Sequence, residues 1–555
     1  MSFPNHDPGN PNSMAPSQAP NDPYLSHGAT TQPAPDRGRW WAGASVGAVA
    51  ALVASGVMLW AGRRWDGVVV TQLISERLTE LLPLAVFRRA LDALESDAKP
   101  LLLVGLILAQ VLVGAVVGLL YVGFARRGLR ARFVGAASLA ALAWLILSLV
   151  AAPLGDIGLF ARDVSGDVWR TQLPFLLGAL VFGCILAAVA PWPGEPLRQA
   201  GADVQLSRRR FAAFAGLALP ALAAGLYIGR YARHLRVKSP TPAMLPAASG
   251  GDFQFAGMPP RITPTEQFYV VSKNFVDPTV DGTQWQLEIG GLVRTPLTLS
   301  YTDIWTRPAV TFTSTLECIS NPIGGDYIST AVWSGFPLRS LLDEAGLQDG
   351  VVDIELRAAD GYVESIPLSE ALAADTMLVH TMNGQPLDDS HGFPARLIVP
   401  GIFGMKNVKW LTGIYAVNHD VQGYWQERGW SDVATVVTMS KFTTPQARTR
   451  HPVNQTIMLG GVAFAGDRGI RLVEVSTDDG ATWQRAELDE VISPLSWRLW
   501  QSAFTPLQPG DLFVQVRATD GEGALQIDKH RPTLPDGATG YHRIRLTIVD
   551  ARAND

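Results

Sequence analysis

The sequence predicts a multi-domain protein with N-terminal all-α transmembrane helices, then an α+β domain, and an all-β sandwich at its C-terminal end. Three observations support this order. The first 240 of the 555 residues carry five charge-free apolar runs, the middle mixes short strands with helical patches, and the last part repeats short strands with tight turns. The charge changes with the composition, because residues 1–240 hold 22 Lys+Arg against 14 Asp+Glu and the remainder holds 23 against 36.

Composition excludes several classes of function. The acidic second half lacks the basic patch that a phosphate backbone requires, so nucleic acid is not an expected partner. The two cysteines, Cys184 and Cys318, are too few for a disulfide framework or for a cysteine-rich zinc or iron–sulfur site. Any metal chemistry that uses sulfur therefore depends on a single thiolate.

The N-terminal half begins with residues 1–36, where eight prolines and few apolar side chains predict a disordered tail. Residues 37–232 form the predicted transmembrane region, because each of five apolar runs approaches the roughly 20 residues that cross a bilayer. Buried core helices are a weaker interpretation, since soluble domains seldom need five such runs in succession. The runs are Trp40–Gly62, Pro100–Ala125, Phe133–Gly155, Thr171–Gly194 and Phe211–Gly229.

Basic residues that flank these runs predict their orientation. The links 125–132 and 195–210 carry four arginines each, and arginine-rich links stay on the cytoplasmic side. The expected localisation is therefore the cell membrane, as a multi-pass protein whose chain after Gly229 is extracytoplasmic. The loop 63–99, which this orientation places outside, fits the rule less well, because it has six basic and six acidic residues. Its amphipathic part, Val68–Leu94, is expected to lie on the membrane surface.

The five runs contain none of the nine histidines, so we expect no transmembrane haem and interpret the helices as an anchor or docking platform. The last run begins with S-R-R-R-F at 207–211, which resembles a twin-arginine export signal. An ordinary anchor would also carry arginines, but the spacing of serine, paired arginine and phenylalanine favours the export signal. That route exports folded proteins, so we expect a complex cofactor in the outer half, tethered by a Pro-rich linker at 233–262.

Residues 263–435 are predicted to form the α+β domain. Trp285–Ile289 alternates as a strand does before a Gly-Gly turn, and residues 336–347 read as a short helix closed by Gly346. The sequence has no Gly-rich nucleotide fingerprint, which disfavours NAD and ATP. Residues 436–555 are predicted to form the sandwich, because Leu472–Ser476 and the return strand Thr482–Leu488 flank a tight Asp-Gly turn and Leu512–Ala518 precedes another.

Three blocks of the outer half resemble the sulfite oxidase family of molybdopterin enzymes, over roughly residues 263–550. The first is T-L-E-C-I-S-N at 315–321 with W-S-G-F-P-L at 333–338. The second is M-N-G-Q-P-L at 382–387 with H-G-F-P-A-R-L-I-V-P-G at 391–401, and the third is K-N-V-K-W-L at 406–411. The resemblance implies a molybdopterin-binding catalytic domain at 263–435 that holds Mo-molybdopterin. It also implies an immunoglobulin-like Mo-cofactor dimerisation domain at 436–555, and so a homodimer.

The resemblance also implies the site residues. Cys318 matches the family's metal-ligating cysteine, and a soft thiolate suits molybdenum. A lone cysteine is otherwise a small buried apolar side chain, and Cys184 keeps that interpretation. Arg396 and Lys409 lie in apolar runs, where an unpaired charge is costly, so a solvated surface is the weaker interpretation for them. The implied cofactor-binding residues are Tyr269, Val270, Lys273, Cys318, Asp360, His391, Arg396, Asn407, Val408 and Lys409.

The pattern departs from true sulfite oxidases at the expected substrate pocket. Pro322 and Ile323 stand where the family has two arginines, and the position of its active-site tyrosine reads His380. Lys273, Lys406 and His380 are the residues expected to form a smaller anion pocket. His380 is also an expected catalytic proton carrier, because a histidine titrates near neutral pH; a hydrogen-bonded core histidine is the alternative.

The expected function is oxygen-atom transfer by a membrane-anchored, extracytoplasmic molybdopterin oxidoreductase. Its substrate is a small oxyanion or sulfur compound, with sulfite oxidation first and S-oxide or N-oxide reduction as the alternative. Residues 268–274 also resemble the family's reductase branch, which reduces methionine sulfoxide in proteins. A non-catalytic membrane-anchored binding protein is the alternative of another class. The expected partners are membrane lipid and an external electron-transfer protein, either a cytochrome or a quinone-linked protein, because the sequence has no C-x-x-C-H haem motif.

Overall fold

The computed structural model describes residues 37–65, 67–82, 86, 94, 97–125, 127–155, 157–162, 168–189, 208–235, 253, 255–274 and 277–550. The predicted disordered tail at 1–36 lies outside the described residues, as does most of the predicted linker. Ser207 of the export-like signal also lies outside them, and the three arginines that follow are described only as helical backbone.

The described N-terminal half is helical, as predicted. Four of its helices are long and apolar enough to cross a membrane: Trp41–Trp65, Ala98–Ala125, Leu129–Leu154 and Val168–Ala188. The fifth predicted run is also helical and is not among these four. The helices are α1 (Arg37–Trp65), α2 (Val70–Leu81), α3 (Ala98–Ala125), α4 (Leu129–Ile146, extended by a π-helical turn to Ala151), α5 (Val168–Val189) and α6 (Arg208–His234).

Helix α1 packs at the centre of this bundle. Glycines allow it to approach α3 closely, because a Cβ at Gly47 would lie 2.1 Å from the carbonyl oxygen of Gly114. Small residues at helix contacts are typical of membrane bundles, where close backbone packing replaces the hydrophobic effect. Accordingly 61% of the apolar stretch of α1 is buried, against 22% for α3.

The helix ends fall into two groups. Arg132 at the start of α4 donates from Nε to the carbonyl oxygen of Ala187, near the end of α5 (2.6 Å). At the opposite end, the backbone N–H of Val68 after α1 donates to the hydroxyl of Thr171 near the start of α5 (3.2 Å). The arginine-rich link and the loop after α1 thus lie at opposite ends of the bundle, as the predicted alternation requires.

The α+β part contains two sheets of mostly antiparallel strands. One has the order β2-β1-β10-β5-β6, in which only β1 and β10 run parallel, and the other has the order β3-β4-β7-β8 with β9 beside β7. Three short helices join them: α7 (Tyr301–Thr306), α8 (Leu338–Ala345) and α9 (Leu368–Ala371). The strands are β1 (Gln286–Gly291), β2 (Leu297–Ser300), β3 (Val310–Glu317), β4 (Ile328–Pro337), β5 (Asp353–Ala358), β6 (Val363–Pro367), β7 (Met377–Met382), β8 (Gln385–Pro386), β9 (Arg396–Ile398) and β10 (Leu411–Val417).

The C-terminal part is all-β in the described residues and forms two sheets, β11-β13-β17-β16 and β12-β19-β18-β14-β15. One apolar core, including Leu459 and Trp500 of the first sheet and Val473 and Val516 of the second, lies between them. The strands are β11 (Met439–Thr444), β12 (Arg450–Pro452), β13 (Ile457–Phe464), β14 (Ile470–Ser476), β15 (Gln484–Arg485), β16 (Glu487–Leu488), β17 (Arg498–Phe504), β18 (Gly510–Asp520) and β19 (His542–Val549).

The two outer parts share one core, which also includes the end of the predicted linker. Val462 and Leu499 of the all-β part belong to the same apolar cluster as Leu397 and Val408 of the α+β part. Met258, which lies in the predicted linker at 233–262, is only 2% exposed within this cluster. Burial of its apolar side chain stabilises this arrangement, so the last linker residues are part of the folded outer half.

Candidate active site

A cavity of about 900 Å³ opens beside the end of β3. Its walls in the outer half include residues 268–273, the loop after Cys318, residues 360–362, the segment 390–410, residues 424–430 and the loop 530–533 of the C-terminal part. The ends of the apolar N-terminal helices contribute a further wall. The volume is near the upper end of the roughly 300–1,000 Å³ of ordinary ligand sites.

Cys318 lines this cavity immediately after β3 and is 8% exposed. Its backbone N–H donates to the carbonyl oxygen of Tyr327 (2.9 Å), and its sulfur lies 3.1 Å from the hydroxyl oxygen of Ser320. Burial raises the pKa of the thiol, because a thiolate loses solvation there. A cationic metal would reverse that penalty, so the sulfur is suited to bind one.

The loop after Cys318 is held by Asn321. Its side-chain amide donates to Glu317 Oε1 (2.9 Å), and its Oδ1 accepts the backbone N–H of Tyr327 (3.0 Å). Burial raises the pKa of Glu317 to about 7. Asn321, which the sequence motif retains, therefore fixes the loop that presents the sulfur.

Arg396 is a buried cation on the cavity wall, 5% exposed, at the start of β9. Its guanidinium donates to the carbonyl oxygens of His391 (3.2 Å) and Asn407 (3.1 Å) and lies 5.2 Å from the ring centre of Trp333. Among the described residues its Nε has no hydrogen-bond partner. Burial lowers the pKa of Arg396 to about 10, so the charge is poorly compensated in the protein alone.

Two lysines line the cavity near Arg396. Lys409 donates to Ser272 Oγ (2.9 Å) and to the carbonyl oxygen of Ser390 (3.1 Å), and burial lowers its pKa to about 8. Lys273 donates to Asn274 Oδ1 and to the carbonyl oxygen of Asp360, both at 2.9 Å. This region of the cavity is therefore cationic and attracts an anion.

The other implied cofactor residues lie on or behind the same wall. His391 donates from Nε2 to the carbonyl oxygen of Thr265 (3.0 Å), and burial lowers the pKa of the ring, which favours its neutral form. Asn407 Oδ1 accepts the backbone N–H of Val399 (2.7 Å). Asp360 accepts from the side-chain amide of Asn274 (2.8 Å). The cavity-lining set includes Tyr269, Val270, Lys273, Cys318, Asp360, His391, Arg396, Asn407, Val408 and Lys409.

The expected anion pocket of Lys273, Lys406 and His380 is not assembled. Lys406 is 1% exposed and points away, donating to Glu364 Oε1 (3.0 Å) and the carbonyl oxygen of Ser365 (2.8 Å). His380 is buried 4.8 Å from the ring of Trp305 and does not line the cavity. Neither ring nitrogen of His380 has a hydrogen-bond partner among the described residues, so it also differs from the hydrogen-bonded core histidine of the alternative interpretation.

Several cavity residues were missed by sequence reasoning. Tyr424, Trp425 and Trp430 form an aromatic wall, and Lys273 Nζ lies 5.6 Å from the ring centre of Tyr424. Tyr362 also lines the cavity, and its hydroxyl lies 2.9 Å from Glu364 Oε2. The density of aromatic residues in 424–430 was the available signal, but nothing local connects that segment to Cys318.

The site fits an anionic metal cofactor with sulfur ligation. Arg396 has an unpaired buried N–H, Lys409 has a depressed pKa, and both face a cavity that also contains the Cys318 sulfur. A phosphate would supply the missing acceptor and counter-charge, because charge-assisted hydrogen bonds to arginine and lysine are strong. A molybdenum ion would take the thiolate as a soft ligand.

Comparison with known proteins also indicates a molybdopterin cofactor. "Oxidoreductase molybdopterin binding domain" matches residues 274–425, and "Mo-co oxidoreductase dimerisation domain" matches 431–548. Mitochondrial sulfite oxidase of Rattus norvegicus is 30% identical over 339 residues, covering 52% of this chain and 62% of the rat protein. The uncharacterized oxidoreductase YuiH of Bacillus subtilis is 30% identical over 177 residues, covering 32% of this chain and 87% of that protein.

One solved structure is also similar. The sulfane dehydrogenase SoxCD from Paracoccus pantotrophus gives a TM-score of 0.45 at 23% identity, covering 51% of this chain and 83% of that chain. The match to the rat enzyme means that this chain spans about three fifths of the length of a curated sulfite oxidase.

Proposed function

Because the chain belongs to the sulfite oxidase family of molybdenum-dependent oxidoreductases, we propose that it transfers an oxygen atom to or from a small oxyanion or sulfur compound, with sulfite oxidation first. We further propose that it is anchored in the cell membrane with its catalytic part outside the cytoplasm. The observation that carries the proposal is the cavity in which the Cys318 sulfur and the cations Arg396, Lys409 and Lys273 converge.

Each residue has a distinct role in this proposal. Cys318 ligates molybdenum, while Arg396 and Lys409 hold the phosphate of the pterin. His391 and Asn407 position Arg396, because their backbone carbonyls accept its two hydrogen bonds. When bound, the cofactor supplies a two-electron redox centre for oxygen-atom transfer.

The substrate end of the cavity favours a compact anion near Lys273. Lys273 is the cation of the expected anion pocket that does line the cavity, and Tyr424 lies beside it. Both groups can donate to an oxyanion. Sulfite matches this chemistry, since it is small, anionic and gains one oxygen atom on oxidation.

S-oxide or N-oxide reduction is the second candidate, and the apolar wall favours it. Pro322 and Ile323 line the cavity where true sulfite oxidases have two arginines, and Trp425 and Trp430 line it as well. Such walls suit a substrate that carries an apolar group beside its oxygen.

The C-terminal part supports a proposal about assembly. We propose that residues 436–555 form an immunoglobulin-like sandwich that joins two chains, because the matched domain is named for dimerisation. Residues 263–435 are the proposed catalytic domain. Native mass spectrometry of the detergent-purified chain should give twice the chain mass of 59.8 kDa. A monomer at working concentration would contradict this assembly.

The test of the function is metal content with turnover, on wild type beside Cys318→Ser. Wild type should hold about one molybdenum per chain and oxidise sulfite with a soluble electron-accepting dye. The variant should lose turnover and alter the molybdenum spectra, because a hydroxyl is a poorer ligand than a thiolate for a soft metal site. Cys184→Ser is the matched control, since Cys184 is exposed on α5. Wild type without molybdenum, from cells that make the cofactor, would favour the non-catalytic binding protein.

A further inference from the structure

The cavity that contains Cys318 is not closed by the outer half alone. Leu82 after α2, the segment from Ala98 to Gly105 of α3, and Leu235 after α6 line it opposite the cofactor residues. Ala98–Gly105 is the start of a helix with a mean hydropathy of 2.6, apolar enough to cross a membrane. One continuous space therefore extends from the cysteine sulfur to the apolar ends of membrane helices.

The membrane side of this space is open and apolar. Leu101 is 50% exposed, and Leu94, another lining residue, is 37% exposed. A Cβ added to Gly105 would have no heavy atom within 4 Å. Since the start of α3 is where the proposed bilayer begins, this side of the space faces lipid in the proposed topology.

Lys99 fixes the junction between the two sides. Its Nζ donates to the carbonyl oxygens of Ser272 and Asn274, both at 2.6 Å. These two residues flank Lys273, which lines the cavity. The start of α3 is thus held against the cofactor residues, and the opening has a defined geometry.

The space also has an aromatic wall, formed by Trp425 and Trp430. Lys409 and Lys273 stay with the pterin phosphate and the substrate anion of the proposed function, so the rings and the helix starts are the surfaces left for a further ligand. A ligand that fits both surfaces has a flat ring, which packs on aromatic side chains, and a long apolar tail. A quinone has this shape and dissolves in the bilayer.

We propose that a lipid-dissolved quinone binds in this space and is the direct electron partner of the cofactor, which rests on the proposed oxygen-transfer function. In the oxidase direction, sulfite and water become sulfate with the release of two electrons and two protons, and the quinone takes up two of each to become a quinol. In the reductase direction, a quinol yields two electrons and two protons, and an S-oxide becomes a sulfide and water. The membrane helices then supply a binding site as well as an anchor.

The test uses the full chain in liposomes with a photoreactive quinone that carries a ten-carbon tail. Mass spectrometry should map the label to residues 98–105 or 424–430, and excess unlabelled quinone should reduce labelling at least tenfold. Gly105→Phe places a ring in the open space, so quinone binding should weaken at least tenfold. Gly123→Phe is the matched control, because Gly123 lies on the same helix, has equal room and does not line the cavity.

Two further results would overturn the quinone site. Labelling that phospholipid displaces and quinone does not would assign the space to a lipid chain. The wild type could oxidise sulfite with a soluble dye and yet neither reduce the quinone nor be labelled by it. That result would leave the proposed function standing and contradict the quinone site. Conversely, specific labelling in a chain that turns over neither sulfite nor S-oxides would support the site and contradict the function.

Discussion

At the scale of single residues, the cavity concentrates unfavourable charge. Arg396, Lys409 and Lys273 share one wall, and Lys99 lies close enough to lower the pKa of Lys409 further. Without a bound anion these cations repel one another, and the buried Arg396 also lacks solvent. Like charges placed so close together lower the stability of the apo protein, and this is expected where a protein is built to bind a ligand.

Lys409 allows this cost to be measured through pH. Burial lowers its pKa to about 8 from the ordinary 10.5, so between these values the folded apo protein has lost a proton that the unfolded chain still holds. Stability therefore rises with pH across that window. Relative to Lys409→Met, the apo wild type should gain up to roughly 3 kcal/mol in unfolding free energy from pH 7.5 to 10.5. Thermal unfolding of both proteins at each pH checks this, and parallel pH profiles would contradict it.

For His380 we predict that a substitution leaves stability unchanged or raises it. Its side chain is 4% exposed, and neither ring nitrogen has a hydrogen-bond partner among the described residues. The His380→Phe variant therefore removes two polar atoms without removing a described hydrogen bond. Replacing an unsatisfied polar group by an apolar group of similar shape is close to neutral or stabilising. We expect an unchanged or higher Tm and unchanged molybdenum content. An altered pH profile of turnover in this variant would restore His380 as a proton carrier.

Site residues that were predicted from a motif meet in space, and their roles stay predictions. Cys318, Arg396 and Lys409 came from ordered sequence blocks, and the structure brings all three to one cavity. Lys406 lies three positions before Lys409, but it is paired with the buried Glu364 and does not line the cavity. Which of two nearby lysines faces a cavity depends on the local turn of the backbone at 404–406, and residue type carries no information about that.

At the scale of elements, the strand and helix predictions held where periodicity was strong. The Trp285–Ile289 pattern corresponds to β1, and the helix closed by Gly346 corresponds to α8, with Gly346 at a φ of 67°. The predicted return strand Thr482–Leu488 is instead divided between β15 and β16, which belong to different sheets. Alternation indicates an extended chain but not the sheet with which it pairs.

Helix α3 yields the element-scale prediction. Lys99→Met removes two charged hydrogen bonds between α3 and the cofactor segment, and each such bond contributes about 1.5–3 kcal/mol. Amide hydrogen exchange at 98–105 and 268–274 should therefore accelerate at least tenfold. Lys529→Met is the control, because Lys529 is an exposed residue of the C-terminal part. Equal exchange in wild type and Lys99→Met would show that the junction does not depend on this side chain.

At the scale of the whole molecule, membrane orientation is the main prediction. Arg127 lies in the arginine-rich link at one end of the bundle, and the exposed Glu490 lies in the C-terminal part. In a Cys184→Ser background, a membrane-impermeant maleimide should label Glu490→Cys in intact cells. It should label Arg127→Cys only after the membrane is permeabilised. The reverse pattern would place the catalytic part in the cytoplasm.

The whole molecule also explains the close association of its two outer parts. Their shared core means that the C-terminal part is not an independent appendage. Lys441 of β11 supports this, since its Nζ donates to Asp326 Oδ1 (2.5 Å) and to the carbonyl oxygen of Gly325 (2.7 Å) in the loop after Cys318. A change in the C-terminal part can therefore reach the loop after Cys318 directly.

The family and the cofactor class were readable from the amino-acid order, and so was the cysteine that we predict to bind the metal, because each depends on residues close together in the chain. The apolar runs likewise predicted helices by length and composition. Folding alone decided which distant segments meet: Lys99 reaches Ser272 across 173 positions, and Tyr424 joins the cavity of Cys318. Such contacts follow from how sheets and helices pack around a shared core, and that packing leaves no periodic or local signal in the sequence.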